Sequence, residues 1–82
     1  MVTVASSTTF EKTVRKLRDN RVKERLKVQI QKVVKDPDIG KLMRYSRKNT
    51  REVYVPPFRL SYYYDENKDL LVFLALYHKD EQ

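Results

Sequence analysis

Phe58-Arg59-Leu60-Ser61-Tyr62-Tyr63-Tyr64 is the stretch on which the fold of this chain turns. It alternates with the period of two that a half-buried strand requires. Phe58, Leu60, Tyr62 and Tyr64 fall on one face; Arg59, Ser61 and Tyr63 fall on the other. An arginine therefore stands on an open face, carried by a strand rather than a loop. Its guanidinium stays charged at any working pH and offers a planar fork of donors that fits a phosphate. The other elements are expected to build a platform around Arg59.

Working outward, Arg51–Val55 also alternates, with Val53 and Val55 inward and Glu52 and Tyr54 outward. Pro56-Pro57 ends that strand, because proline donates nothing to a sheet ladder. On the other side, Asp65–Asp69 is a polar hairpin loop. Leu70–Tyr77 is nearly all apolar, the pattern of a central strand with both faces at least partly covered. Leu70, Val72, Leu74 and Leu76, or the alternate set, would then lie on the open face. That is more apolar surface than a monomer usually shows, and it points to a protein partner.

Val2–Ala5 is a short β-branched edge strand. Thr8 and Glu11 have the spacing of a capping box, so a first helix should run to about Arg18, with Phe10, Val14 and Leu17 on one stripe. A second helix covers about Arg21–Lys35, with Val22, Leu26, Ile30, Val33 and Val34 inward and Val28 off the stripe. Asp36-Pro37 stops it. Residues 38–50 form a linker holding the sole glycine, Gly40. The order β-α-α-β-β-β predicts an α+β fold: an antiparallel two-helix hairpin on one face of a small, mainly antiparallel four-stranded sheet, within a single domain over residues 1–82.

The 82 residues include no cysteine, which removes disulfides, Cys-based metal sites and Cys nucleophiles. No apolar run reaches the length of a membrane span, and the first residues lack the pattern of a signal peptide. The net charge is +7 and unevenly spread. Residues 11–35 carry ten lysines and arginines against three acids, and residues 52–82 carry three against six. A basic front and middle suggest an acidic partner, either nucleic acid or protein.

Neither a phosphate-cradling glycine loop nor a His-rich metal spacing is present, so no cofactor is implied. What remains is a constellation on adjacent strands: Glu52, Arg59, and His78 with Lys79 at the end of the last strand. A carboxylate, an arginine and a histidine suffice to cleave RNA without metal. The carboxylate takes the 2′-hydroxyl proton, the arginine stabilises charge on the phosphate oxygens, and the histidine or lysine protonates the leaving 5′-oxygen. Each residue also has a plainer role open to it, Glu52 as the ion-pair partner of Arg59 and His78 as a surface histidine. Lys41, Arg44, Arg47, Lys48 and Arg51 would track an RNA backbone, and Tyr54 and Tyr63 would stack on bases or simply shield the sheet.

In this order of elements the chain resembles the RelE/ParE superfamily of toxins from toxin–antitoxin modules. The resemblance rests on the short first strand, the helix pair with Phe10 and Leu17, the Asp36-Pro37 stop and Leu42 in a basic linker. It rests also on Phe58-Arg59-Leu60-Ser61-Tyr62, which is similar to the family's aromatic-Arg-Leu-x-Tyr strand, and on the apolar run from Leu71 that ends in Tyr77-His78-Lys79. It implies a cytoplasmic toxin that cleaves mRNA on the ribosome, with basic helices and linker against rRNA and a cognate antitoxin across the open face. Arg59 matches the family arginine that contacts the scissile phosphate. Tyr77-His78 resembles the ending of the YoeB-like branch, which uses a glutamate, an arginine and a histidine; Glu52 would substitute for that glutamate. The resemblance equally admits a ParE-like inhibitor of DNA gyrase that needs no catalytic set, and the composition alone admits a plain RNA-binding module.

Overall fold

A computed structural model of the chain describes residues 2–43 and 47–78. Arg44 and Lys79, two of the candidate residues, lie outside that set. The elements run β1 Thr3–Ser6, α1 Thr8–Lys16, α2 Asn20–Lys35, β2 Lys41–Leu42, β3 Thr50–Val55, β4 Phe58–Asp65 and β5 Leu70–His78. Both helices lie on one side of a mixed sheet ordered β1-β5-β4-β3-β2, in which β1 and β5 pair in parallel and the other described pairs are antiparallel. Among the described residues the sheet has five strands, not the expected four. The extra one, β2, comes from the basic linker. Lys41 pairs with Glu52 and Leu42 with Arg51, a register too short to carry a sequence signature of its own.

The helix-side core forms where the stripes meet. Val22, Leu26 and Val33 of α2 and Phe10 of α1 pack on Val55, Leu60, Tyr62, Leu71, Phe73 and Leu76. The rings of Phe10 and Phe73 stack at 5.5 Å between centroids. Val28 is exposed, as its position off the stripe requires. Polar side chains also join the layers: Gln29 Nε2 of α2 donates to the Tyr54 carbonyl at 2.8 Å.

The first helix starts and stops differently from the expectation. Its N-cap is Ser7, not Thr8, and it ends at Lys16 rather than Arg18. Asp19 is needed outside the helix, because its carboxylate accepts the Arg21 N–H at 2.9 Å and caps α2. Ser7 is chosen because its position serves two elements at once. Its Oγ accepts the Phe10 N–H at 3.0 Å and donates to the Leu74 carbonyl at 2.5 Å.

That carbonyl sits at an irregularity in the ladder. Ser61 pairs with Ala75 but the next residue, Tyr62, pairs with Phe73, so Leu74 is an extra residue in β5. The β-bulge inverts the facing of everything beyond it. Leu71, Phe73 and Leu76 are buried on the helix side, which strict alternation would forbid. The open face consequently shows Leu70, Val72, Ala75 and Tyr77 opposite Asp65, Tyr63, Ser61 and Arg59, a mixture of the two alternative sets.

Ser7→Ala removes the helix cap and the partner of the bulge carbonyl together. We expect a loss of about 1–2 kcal/mol, since part of the site is open to water. Ser7→Asp keeps a capping oxygen but cannot donate to Leu74, so its melting temperature should fall between wild type and Ser7→Ala. An aspartate variant as stable as wild type would show that the Leu74 bond contributes nothing.

Candidate active site on the open sheet face

Three adjacent strands converge on one carboxylate. Glu52 stands at the centre of β3, where its cross-strand neighbours are Ser61 on β4 and Lys41 on β2. One register step away, Tyr54, Arg59 and Tyr77 form a row across β3, β4 and β5. The Arg59 guanidinium donates to Glu52 Oε1 at 2.7 Å. The Tyr77 hydroxyl donates to Glu52 Oε2 at 2.6 Å. Both oxygens of the carboxylate are thus held by charge-assisted or short hydrogen bonds, which fixes its plane.

The cluster is neither sealed nor fully exposed. The Glu52 side chain retains 15% of its surface and that of Arg59 32%. Lys41, Glu52, Val53, Tyr54 and Arg59 line a groove of about 360 Å³. Lys41 and Arg59 against Glu52 leave one net positive charge there, the complement of a phosphodiester. Arg59 Nε is buried and has no hydrogen-bond partner among the described residues. A buried unmade hydrogen bond costs about 1–3 kcal/mol, so such groups ask for an explanation, and binding sites are one place where they occur.

The candidate residues separate into those the structure gathers and those it does not. Glu52, Arg59, Lys41 and Tyr54 meet in the groove. His78 does not: it pairs with Phe58 on the helix-side register, with its ring edge-on to the Phe58 ring at 5.7 Å. Tyr63 lies four residues along β4 from Arg59, roughly 13 Å at strand rise, and its hydroxyl donates to Asp65 at 3.3 Å. Burial and the Asp65 carboxylate push the Tyr63 phenol above its ordinary pKa.

The basic linker disperses rather than forming one track. Arg51 turns to the helix side, donating to the carbonyls of Asp38 and Gly40 at 3.1 and 2.8 Å and pairing with the Asp38 carboxylate at 3.5 Å. Lys48 borders a second, polar groove shared with Asp38, Asp65 and Glu66, where acids offset it. Arg47 lies in the turn before β3, its carbonyl accepting the Thr50 N–H at 3.1 Å. Among the described residues of this group, Lys41 alone lines the groove with Arg59.

Tyr77 is the site residue that sequence reasoning passed over. The apolar run of β5 ends in Tyr77-His78, and one of the two must face Arg59. Nothing in Leu70–Leu76 betrays the bulge that decides which.

A family model described as the ParE toxin of the type II toxin–antitoxin system, parDE, matches residues 4–82. The chain belongs to this toxin family. Solved structures agree on the fold. The isolated Escherichia coli RelE toxin superposes with a TM-score of 0.81 at 20% identity, over 100% of this chain and 88% of that one. The intact E. coli RelBE toxin–antitoxin complex matches at 0.79 and 21% identity, over 95% and 96% of the respective chains. The RelBE2 toxin–antitoxin complex of Mycobacterium tuberculosis matches at 0.77 and 23% identity, over 95% and 98%. No curated protein matches significantly by sequence. The toxin is thus a member of the RelE/ParE superfamily, with the helix pair on a sheet that its sequence resembles. No helix among the described residues is long and apolar enough to cross a membrane.

Proposed function

We propose that this toxin, acting as a single domain, cleaves mRNA engaged on the ribosome by metal-independent attack of a 2′-hydroxyl on the adjacent phosphate, and so stops translation. The observation that carries this reading is the pairing of Arg59 with Glu52 in a positively charged groove on the face that the helices leave uncovered. A phosphodiester seated on Arg59 lies within one cross-strand step of the carboxylate. Glu52 takes the 2′-hydroxyl proton, Arg59 and Lys41 stabilise charge on the non-bridging oxygens, and the 5′-oxygen leaves with a proton supplied from the end of β5. The basic outer faces of α1 and α2 supply sequence-independent contacts to the rRNA backbone, which weaken as salt rises. Two of its structural neighbours are toxin–antitoxin complexes, and a cognate antitoxin covering the open face would silence this site in the cytoplasm.

One observation favours a second reading. Both oxygens of Glu52 already have partners, as they would in a purely structural network. The family model is that of ParE. A ParE-like inhibitor of DNA gyrase would act through protein contacts and need no catalytic set. The two readings separate in parallel assays. Primer extension on an mRNA in a cell-free translation reaction should show cuts that require ribosomes, while gyrase supercoiling proceeds untouched. Blocked supercoiling with intact mRNA would replace the nuclease by the gyrase inhibitor.

A further inference from the structure

We propose that Tyr77 is the general acid of this site, giving its phenolic proton to the departing 5′-oxygen and recovering one from Glu52. The assignment rests on RNA cleavage being the activity of the open face. It starts from the bulge at Leu74, which turns Tyr77 toward Arg59 and leaves His78 against Phe58. Of the two terminal residues of β5, the tyrosine therefore shares a face with the carboxylate.

The hydrogen bond between Tyr77 and Glu52, 2.6 Å long, connects base to acid directly. In an in-line displacement the attacking and leaving oxygens occupy opposite apices of one phosphorus. Those apices are further apart than two hydrogen-bonded oxygens, and a hydrogen bond from each partner spans the difference. A base and an acid in mutual contact can therefore each reach one of them, closing a ring of four oxygens: O2′, Glu52 Oε2, Tyr77 Oη and O5′. Arg59, paired across the ladder with Tyr77 and bonded to Glu52, holds the phosphate inside that ring.

The protons balance around it. The O2′–P bond forms as the 2′-hydroxyl proton passes to Glu52. The P–O5′ bond breaks as the Tyr77 proton passes to O5′. The protonated Glu52 then returns its proton to the phenolate along their shared hydrogen bond. One proton has moved from O2′ to O5′, both side chains are restored, and the products are a 2′,3′-cyclic phosphate and a 5′-hydroxyl. Protonation of Glu52 also withdraws the acceptor that holds the phenol in the resting site, freeing the hydroxyl to turn to O5′ when the leaving group needs it.

The test uses ribosome-bound mRNA with either oxygen or sulfur at the bridging 5′ position of the cleavage site. A thiolate leaves without protonation, so loss of the acid is repaired by the sulfur substrate, whereas loss of a positioning contact is not. Tyr77→Phe should cut the oxygen substrate about a hundredfold more slowly than wild type and the sulfur substrate at close to the wild-type rate. Equal slowing on both substrates would reduce Tyr77 to a prop for Glu52 and overturn the assignment. Sulfur rescue of His78→Gln in place of Tyr77→Phe would move the acid to the histidine and overturn it as well. Wild-type protein that cuts neither substrate would overturn the cleavage reading itself, and the acid with it.

Discussion

Arg59→Ala is expected to lower ribosome-dependent cleavage by about a thousandfold, the range found when a preorganised donor to a transition-state oxyanion is removed. Three losses coincide in that variant. The phosphate loses its charged fork, the groove loses one of two cations, and Glu52 loses the partner that orients Oε1. The fold should survive, because Arg59 lies outside the helix-side core. A stability loss of about 1–3 kcal/mol is still expected, since Glu52 is mostly covered and keeps, among the described residues, the Tyr77 hydroxyl as the partner of its carboxylate. Arg59→Lys keeps the charge without the fork and should recover only part of the activity. Primer extension with the three proteins side by side, each checked by circular dichroism, decides the matter. A folded Arg59→Ala protein that cuts at the wild-type rate would remove the arginine from the site, and Glu52 would then be a structural acid.

The sequence carried the platform further than the site, and the reasons are physical. Helix stripes such as Val22, Leu26 and Val33 are read by a period that the buried core enforces, and all three are buried. The alternation of Phe58–Tyr64 is equally firm: Leu60 and Tyr62 are fully covered and Arg59 stands on the other face. Glu52 was legible beside it because Pro56-Pro57 fixes which residues of the two strands meet. The end of β5 was not legible. Its residues are apolar on both faces, so alternation carries no contrast, and a single bulged residue reverses it. Strict alternation from Leu71 and Phe73 would turn Tyr77 inward and His78 toward Arg59; the structure has the opposite. The fate of the basic linker was also hidden. Arg51 lies on the face of Val53 and Val55, and the Asp38 and Gly40 carbonyls it meets there belong to the segment before the two-residue β2, which the Tyr62 hydroxyl holds through Pro37 and Gly40.

Tyr62→Phe, which removes one buried oxygen from the helix-side core, is expected to destabilise the fold by about 3–4 kcal/mol. The ring is fully buried. Its hydroxyl accepts the Gly40 N–H at 2.9 Å and donates to the Pro37 carbonyl at 2.7 Å. Removing it leaves a donor and an acceptor stranded beneath the sheet edge, each costing about 1–3 kcal/mol. The fit leaves little slack for repair, because a Cβ at Gly40 would collide with the phenol. For a chain this small the melting temperature should fall by roughly 12–32 °C, and hydrogen exchange should accelerate first at Gly40. The variant also has a pH signature. Burial pushes the Tyr62 phenol above its ordinary value of 10.0, against a smaller opposing pull from the Gly40 N–H. The folded protein therefore binds that proton more tightly than the unfolded chain. Wild type keeps the full benefit below about pH 10 and loses it as the pH rises through the raised value. Tyr62→Phe, having no such proton, should show a shallower alkaline decline. Tyr63 and Tyr64, whose phenols are also raised, remain in both proteins, so the difference between the two curves isolates Tyr62. Unfolding free energies within about 0.5 kcal/mol of each other would mean that water replaces the hydroxyl, and that β2 holds Lys41 beside Glu52 by its own pairing alone.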